Sequence, residues 1–216
     1  MDTSYILRYV TEWTASNSES WFLSHAEELA RAKEELGQLA VQLNLGIRTF
    51  DPNMILLRPK DMLRDILPTR PALQIHIAPE GMRPIPVGYF LCIRSGNRSF
   101  LSGGLHSSMF GAASDMVRQC IIKDPLAWSA LLDAPAFRER FVVLGTPLRN
   151  FPAGYDPKHP HAKYLQQNNW YVRYPIQDAT LTVPDALETV ALEVFEAMCP
   201  FVQYLNRAMK NFRMRA

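Results

Sequence analysis

Cysteine is scarce in this sequence, and that scarcity narrows the class of protein. The 216 residues contain three cysteines, Cys92, Cys120 and Cys199, which lie far apart and share no pair spacing. Disulfide-stabilised secreted domains carry a dense, even set of cysteines, and zinc knuckles carry closely spaced pairs. The sequence therefore argues against both classes, and we expect the three thiols to be buried and inert.

Long apolar runs are also absent. No stretch reaches the roughly 18 apolar residues that a membrane-spanning helix needs, and the most apolar helical segment, near 184–209, is interrupted by glutamates. Residues Met1 to Ser4 show no basic region followed by an apolar core, which is the pattern of a secretory signal. We therefore expect a soluble protein without membrane association, and the cytoplasm is its expected compartment.

Charge of one sign is not in large excess. The formal net charge is +2, too small to indicate nucleic-acid binding by itself. Four basic residues follow the last acidic residue, Glu196, but cations at the end of a helix commonly complement its dipole. Arginines near predicted strands commonly keep the exposed edge of a sheet soluble and prevent it from pairing with another chain. Nucleic acid is therefore not an expected partner. The basic residues in these two groups are Arg94, Arg98, Arg173, Arg207, Lys210, Arg213 and Arg215.

What the sequence does contain is typical of a globular protein. Apolar residues make up 48% and charged residues 20% of the chain, close to the average for globular domains. The length predicts a single domain covering residues 1–216.

Helical periodicity dominates the first 50 residues. Residues 3–14 predict a short amphipathic helix. Ser16 to Glu19 predict a capping box that opens a long helix, and Gly46 is its predicted end. Apolar residues of that helix recur every seven positions, at Phe22, Leu29, Leu36 and Leu43. Residues 51–72 begin with a turn at Asp51-Pro52-Asn53, after which helix and strand both fit.

The middle of the chain predicts β-structure. The turn signal at 95–98 between two β-rich runs indicates a hairpin, which Gly103-Gly104 is expected to end, and residues 79–86 predict a loop. Helices are predicted at 109–121, after the Asp124-Pro125 cap, at 135–140, at 162–167 and from 182 onward, with Pro200 inside the last. Strands are predicted at 74–77, 87–93, 99–101, 141–144 and 170–176. This order indicates an α+β fold with a mostly antiparallel sheet packed against several helices.

Several segments resemble one known family. They are Asn17 to Phe22, Phe100 to Leu105, Asp124 to Phe137, Gly154 to Ala162 and Trp170 to Ile176. In order and spacing these segments are similar to a bacterial and fungal family of conserved hypothetical proteins, classed as a domain of unknown function. The resemblance covers nearly the whole chain, and none of the segments is a catalytic signature.

The chain departs from that family at the hallmark motif, R-x-x-R-D-x-R-F-x-x-[D/N]-K-x-x-Y. Arg64-Asp65 matches the central Arg-Asp pair. The cations, acid and phenol of the motif imply an anionic ligand in the family, and most of them are replaced here. The resemblance thus implies either a divergent subfamily with a different ligand or an inactive site. The remaining motif positions hold Asp61, Leu67, Pro68, Pro71, Ala72 and Ile75.

One candidate site is a metal-binding site. Asp156, His159 and His161, with His106, offer the oxygen and imidazole ligands that zinc or iron accepts. The alternative is structural, because the neighbouring prolines restrict the backbone, so that Asp156 caps a turn and His159 packs against the strand end.

A second candidate site binds a ligand. Arg64 and Asp65 form a cation and base pair or a structural ion pair, and the amides after Ser102 can receive an anion if a helix begins near Ser107-Ser108. No G-x-S-x-G elbow is present, and no cysteine lies in an electropositive turn, so nucleophilic catalysis has no support. The candidate ligand-binding residues are Arg64, Asp65, Gly103, Gly104, His106 and Arg173.

Two functions of different classes follow. The first hypothesis is a non-enzymatic ligand-binding or interaction domain with a pocket around Gly103-Gly104, His106, Arg64 and Arg173. The alternative is a metal-dependent hydrolase with a His/Asp site, for which a stoichiometric metal lost in His159→Ala would be diagnostic. A third hypothesis is a subunit that acts through self-association. The ligand, cofactor and oligomeric state are not determined by the sequence.

Overall fold

The structure, a computed structural model, describes residues 1–79, 87–106 and 111–210. Within these residues the helices and strands come in groups, with helices first, three consecutive strands next, further helices, a single strand and two final helices. In chain order the elements are α1 (Thr3–Ser16), α2 (Glu19–Ser24), α3 (Ala26–Phe50), α4 (Pro59–Met62), β1 (Leu73–Ile77), β2 (Val87–Ile93), β3 (Ser99–Leu105), α5 (Gly111–Lys123), α6 (Pro125–Asp133), α7 (Pro135–Arg138), α8 (Ala162–Leu165), β4 (Trp170–Ile176), α9 (Asp178–Thr182) and α10 (Ala186–Ala208).

The four strands form one antiparallel sheet in the order β1-β2-β3-β4. Side chains alternate between the two faces of each strand, and one face packs against α10. Tyr89 lies 5.2 Å from Phe195 of α10, measured between ring centroids, and Gly103 lies beneath Met198 and Val202. The predicted α+β class with a mostly antiparallel sheet is confirmed, as is the hairpin formed by β2 and β3.

The helices that cover this face follow the predicted apolar stripes. Leu29, Leu36 and Leu43 of α3 are buried, and so are the apolar positions of α10 on both sides of Pro200. The α10 helix continues through this proline. The largest fully buried side chains include Trp13 of α1, so α1, α3 and α10 share one core with the sheet.

The start of the long helix differs from the prediction. Ser16 is the last residue of α1, and its hydroxyl donates to the Trp13 carbonyl at 2.8 Å. Ser18 is the residue that caps a helix, since its Oγ accepts from the Trp21 amide at 3.4 Å. That helix is the short α2, and α3 begins only after His25. The predicted capping box at Ser16 was therefore wrong, because a serine two residues later is free of α1.

The predicted end of α3 at Gly46 was also wrong, since the helix runs on to Phe50. A Cβ at position 46 would lie 2.6 Å from Leu192 Cδ1 of α10. The glycine is explained by the close approach of two helices, not by a helix end. Sequence alone does not separate these two uses of glycine.

Two strand predictions need correction. Gly103-Gly104 do not end the hairpin, because β3 continues through them to Leu105 and pairs with both neighbours. Residues 141–144 alternate between buried and exposed but form no strand. They meet β4 at one bridge only, between Leu144 and Tyr171.

The ambiguous stretch 51–72 resolves into short pieces. Asp51 to Asn53 form the predicted turn, with the Asn53 amide donating to the Asp51 carboxylate at 3.2 Å. The α4 helix follows, and Leu63 then bridges to Ile75 of β1. Most of the predicted 79–86 loop, the region near Ser107-Ser108, the start of the predicted helix at Met109, and Arg213 and Arg215 lie outside the described residues.

All three cysteines are free, with Cys92 and Cys199 buried and Cys120 partly buried. Among the described residues no helix has the length and apolar character required to cross a bilayer.

A buried carboxylate joins α10 to β2. Asp51 has no solvent exposure. It accepts a hydrogen bond from the Tyr89 hydroxyl at 3.0 Å and another from Gln203 Nε2 at 3.2 Å. Charged hydrogen bonds of this kind are worth more than neutral ones, and a buried group that loses its partner is costly.

Tyr89→Phe should therefore destabilise the protein by about 2 kcal/mol, because it leaves a buried carboxylate without one of its donors. Urea unfolding monitored by circular dichroism measures this change. Tyr9→Phe is the matched control, since the Tyr9 hydroxyl is buried without a partner and its removal should be neutral or stabilising. Equal losses in the two variants would contradict the role assigned to Asp51.

Candidate functional site

The second face of the sheet carries one polar row across all four strands. His76 pairs with Phe90, Phe90 with Ser102, and Ser102 with Arg173. Cross-strand partners project from the same face, so these four side chains stand in line. The face that packs on α10 is apolar, whereas this row contains an imidazole, a hydroxyl and a guanidinium. The contrast makes the second face the candidate site.

His76 is the least satisfied group of this face. Its side chain is 1% exposed, and neither ring nitrogen has a hydrogen-bond partner in the part of the chain that the structure describes. The ring stacks on Phe90 with centroids 3.8 Å apart and planes 8° from parallel. Burial, followed by the charge of nearby Arg64 and by that of His106 whenever its ring is protonated, holds the pKa of His76 well below its usual range. His76 is therefore a neutral imidazole with one unused donor and one unused acceptor.

Ser102 and His106 form a defined pair beside this ring. The Ser102 hydroxyl donates to the Val172 carbonyl oxygen, which can only accept. Its one proton is then used, so His106 Nε2, 2.9 Å from Ser102 Oγ, must be the donor between them. Burial and Arg173 lower the pKa of His106 to about 4. At neutral pH this imidazole is uncharged, with its lone pair on Nδ1.

Aromatic rings connect the row from end to end. The Phe90 ring lies 4.3 Å from His106, and His106 stacks on Tyr171 at 4.6 Å, measured between centroids. The Arg173 guanidinium lies 4.0 Å from the Phe100 centroid and 5.7 Å from that of Tyr171. The rings and the guanidinium thus form one continuous aromatic and cationic surface along the row.

The charges that the four described strands carry have a single sign. The four strands contain no aspartate or glutamate. Burial raises the pKa of the Cys92 thiol, while Arg94 and Arg173 act in the opposite direction. The Nε of Arg94 is buried, and none of the described residues accepts a hydrogen bond from it. Arginines therefore set the local potential, and the arrangement is suited to an anion.

The structure brings together only some of the predicted ligand-binding residues. His106 and Arg173 share the second face, and the charge of Arg64 acts on His76. Gly103 points to the opposite face, beneath α10. Gly104 lies against the backbone of Trp170 and Tyr171, and Asp65 is exposed on the loop before β1.

The predicted metal ligands are occupied by local hydrogen bonds. Asp156 accepts from the Lys158 amide at 2.8 Å, and His159 Nδ1 accepts from the His161 amide at 3.1 Å. His161 Nε2 bonds to the Ser129 hydroxyl at 3.0 Å. Within residues 1–79, 87–106 and 111–210, no group of three or more metal-ligating side chains converges.

Three residues of the row, His76, Phe90 and Ser102, were not among the predicted site residues. One signal for them exists, because a histidine between Ile75 and Ile77 in an alternating strand must point away from the apolar face. The neighbours of His76 follow from the register of three strand pairs, which a single sequence does not reveal.

Comparison with known proteins identifies a family. A family model of conserved hypothetical proteins (DUF2461) matches residues 5–204. The searches of curated proteins and of solved structures gave no match. The family model covers most of the chain and agrees with the resemblance seen in the sequence, and the protein therefore belongs to this family of conserved hypothetical proteins, a domain of unknown function.

Proposed function

We propose that the protein is a non-enzymatic domain that binds a small molecule on the second face of its sheet. The observation that carries the proposal is His76, which is buried at the β1 end of the row and whose two ring nitrogens have no hydrogen-bond partner among the described residues. A buried polar group without a partner costs about 1–3 kcal/mol. A ligand that supplies an acceptor and a donor would offset this cost.

The neighbours of His76 support binding more than catalysis. The proton of Ser102 is committed to a backbone carbonyl, so the hydroxyl is not prepared as a nucleophile. Among the described residues no carboxylate hydrogen-bonds to the His106 ring to orient it as a base; its Nε2 pairs with Ser102 Oγ. No observation on the described residues favours the hydrolase alternative at Asp156, His159 and His161.

Access to His76 requires a side-chain movement. Phe90 stacks on the imidazole and is itself half-buried. Rotation of Phe90 to another rotamer would open the ring nitrogens to a ligand. We also propose the cytoplasm as the compartment, a choice supported by three unpaired thiols, which a reducing environment preserves.

His76→Phe tests the proposal, because it keeps a flat ring and removes both nitrogens. Without ligand, this variant should be about 1–2 kcal/mol more stable than the natural protein. In a ligand-observed NMR screen of a fragment library of acids, amides and alcohols, the compounds that bind the natural protein should no longer bind the variant.

Tyr9→Phe provides the control for this test. It also removes a buried unpaired polar atom, but from the helical layer. This variant should retain binding of every fragment. The proposal fails if His76→Phe destabilises the protein and leaves fragment binding unchanged.

A further inference from the structure

Arg173 is the exposed cation of the proposed binding face. Its guanidinium lies over Phe100, 4.0 Å from the ring centroid, and within 5.7 Å of the Tyr171 centroid. Contact with two rings holds the planar group in place and reduces the entropy lost on binding. Among the described residues no carboxylate forms a salt bridge with Arg173. The N–H edge of the guanidinium is therefore prepared for an external anion.

Arg173 and His76 lie at opposite ends of the row. They occupy β4 and β1, with β2 and β3 between them. Neighbouring strands are about 4.8 Å apart, so the two backbone positions are separated by roughly 14 Å. A single small ion cannot contact both ends, whereas an elongated molecule can.

The surface between the two ends is aromatic. Phe90, His106 and Tyr171 are half-buried; Phe90 meets His106 edge to face, and His106 stacks on Tyr171. Apolar chains pack well against such rings, while Ser102 below them is fully buried and already bonded. The middle of a ligand on this row should therefore be apolar.

We propose that the ligand is an elongated organic carboxylate with a hydrogen-bonding group at its far end. The carboxylate pairs with the N–H edge of Arg173, the apolar body lies along Phe90 and Tyr171, and the far group occupies the ring nitrogens of His76. This inference rests on the proposed binding function and specifies the chemistry of its ligand.

Two further observations support an anion over a cation. The titratable groups of the face, His76, Cys92 and His106, each experience an arginine, and among the described residues no acid shifts their pKa values. Both imidazoles are neutral, which favours a singly charged carboxylate over a doubly charged phosphate. The planar guanidinium matches the geometry of a carboxylate with two parallel hydrogen bonds.

The experiment titrates linear dicarboxylic acid monoamides into the full chain by calorimetry. Chains of about four to twelve carbons bracket the roughly 14 Å between the two backbone positions. We expect affinity to rise with chain length up to the member that spans the row. The methyl ester of each acid, which lacks the charge, should bind at least tenfold more weakly. Inorganic phosphate is a separate probe and should not bind measurably.

Arg173→Gln removes the charge and the planar guanidinium while keeping a polar side chain, and should weaken the best monoamide at least tenfold without lowering the melting temperature. Arg98→Gln is the matched control, since Arg98 lies on the β2–β3 turn and donates to the Ser95 carbonyl. It should bind like the natural protein. Arg173→Lys should give an intermediate affinity, because it retains the charge but not the planar geometry.

The outcomes separate the two proposals. If esters bind as well as acids and Arg173→Gln has no effect, the carboxylate inference is overturned while binding at His76 stands. Tight binding of phosphate alone would also overturn it. If neither the monoamides nor the fragment library binds in a way that depends on His76, the proposed function fails together with this inference.

Discussion

Gly104→Ala should lower the stability of the protein by about 4 kcal/mol. Gly104 lies in the interior of β3, between Gly88 and Tyr171 of the neighbouring strands. Its φ angle is +127°, a conformation that residues with a side chain rarely adopt. The new methyl group would therefore strain the backbone even in open space.

The space at this position is also closed. A Cβ on Gly104 would lie 2.8 Å from the Tyr171 Cα and 3.0 Å from Phe201 Cε1. The Tyr171 atom belongs to the backbone of the paired strand, which cannot move without breaking the β3–β4 ladder. Strain and crowding add, so the melting temperature should fall by roughly 10 °C.

Gly111→Ala is the control for this prediction. Gly111 begins α5, and no atom of the other described residues lies within 4 Å of the position that its Cβ would take. Alanine should be neutral or slightly stabilising there. Chemical denaturation of both variants measures the difference, and a Gly104→Ala protein as stable as the natural one would show that β3 does not have the described path.

Acidification should remove a large part of the stability between about pH 6.5 and pH 4. Burial and Arg173 lower the folded-state pKa of His106 to about 4, and burial and Arg64 lower that of His76 well below its usual value. In the unfolded chain both imidazoles bind a proton near pH 6.5. Below that pH the unfolded state binds protons that the folded state excludes, so stability falls as pH falls.

The expected loss of stability follows from the number of protons that the folded state excludes. Each excluded proton contributes a slope of about 1.4 kcal/mol per pH unit, so His106 alone accounts for on the order of 3 kcal/mol by pH 4. Carboxylates respond in a different range, because Asp2 and Asp61 have pKa values lowered from 3.8 and lose their contributions only at lower pH.

Urea unfolding from about pH 7 to pH 4.5 measures this dependence. The His76→Phe variant should show about half the slope of the natural protein, because one of the two titrating imidazoles is gone. A stability that stays constant across this range would show that the two imidazoles are accessible to protons in the folded state.

Local patterns predicted most of the elements correctly. The Asp124-Pro125 pair opens α6, with the Asp124 carboxylate accepting from the Ala127 amide at 2.9 Å. The alternating run at 87–93 and the turn at 95–98 give the β2–β3 hairpin. These features depend on interactions between residues a few positions apart, so the order of the residues is enough to predict them.

The mistaken predictions share one physical origin. A glycine at position 46 is typical of a helix end, but the helix continues there, and the glycine is needed because Leu192, distant in sequence, packs against it. Gly103-Gly104 are typical of a strand exit, yet pairing with β2 and β4 continues the strand. Residues 141–144 have the pattern of a strand, yet only one pair of residues meets β4. In each case contacts with residues distant in the sequence override the local preference for a secondary structure.

The sequence by itself determined the α+β class and the buried stripes of α3 and α10, because the periodicity of apolar residues shows which surfaces are removed from water. The order and spacing of its segments also determined membership of a family. Only the tertiary structure decided that His76, Phe90, Ser102 and Arg173 stand in one row. Their alignment requires three strand pairings between residues that lie far apart in the chain, from His76 to Arg173. Register is a property of pairs of strands, and a one-residue shift would turn each side chain to the other face.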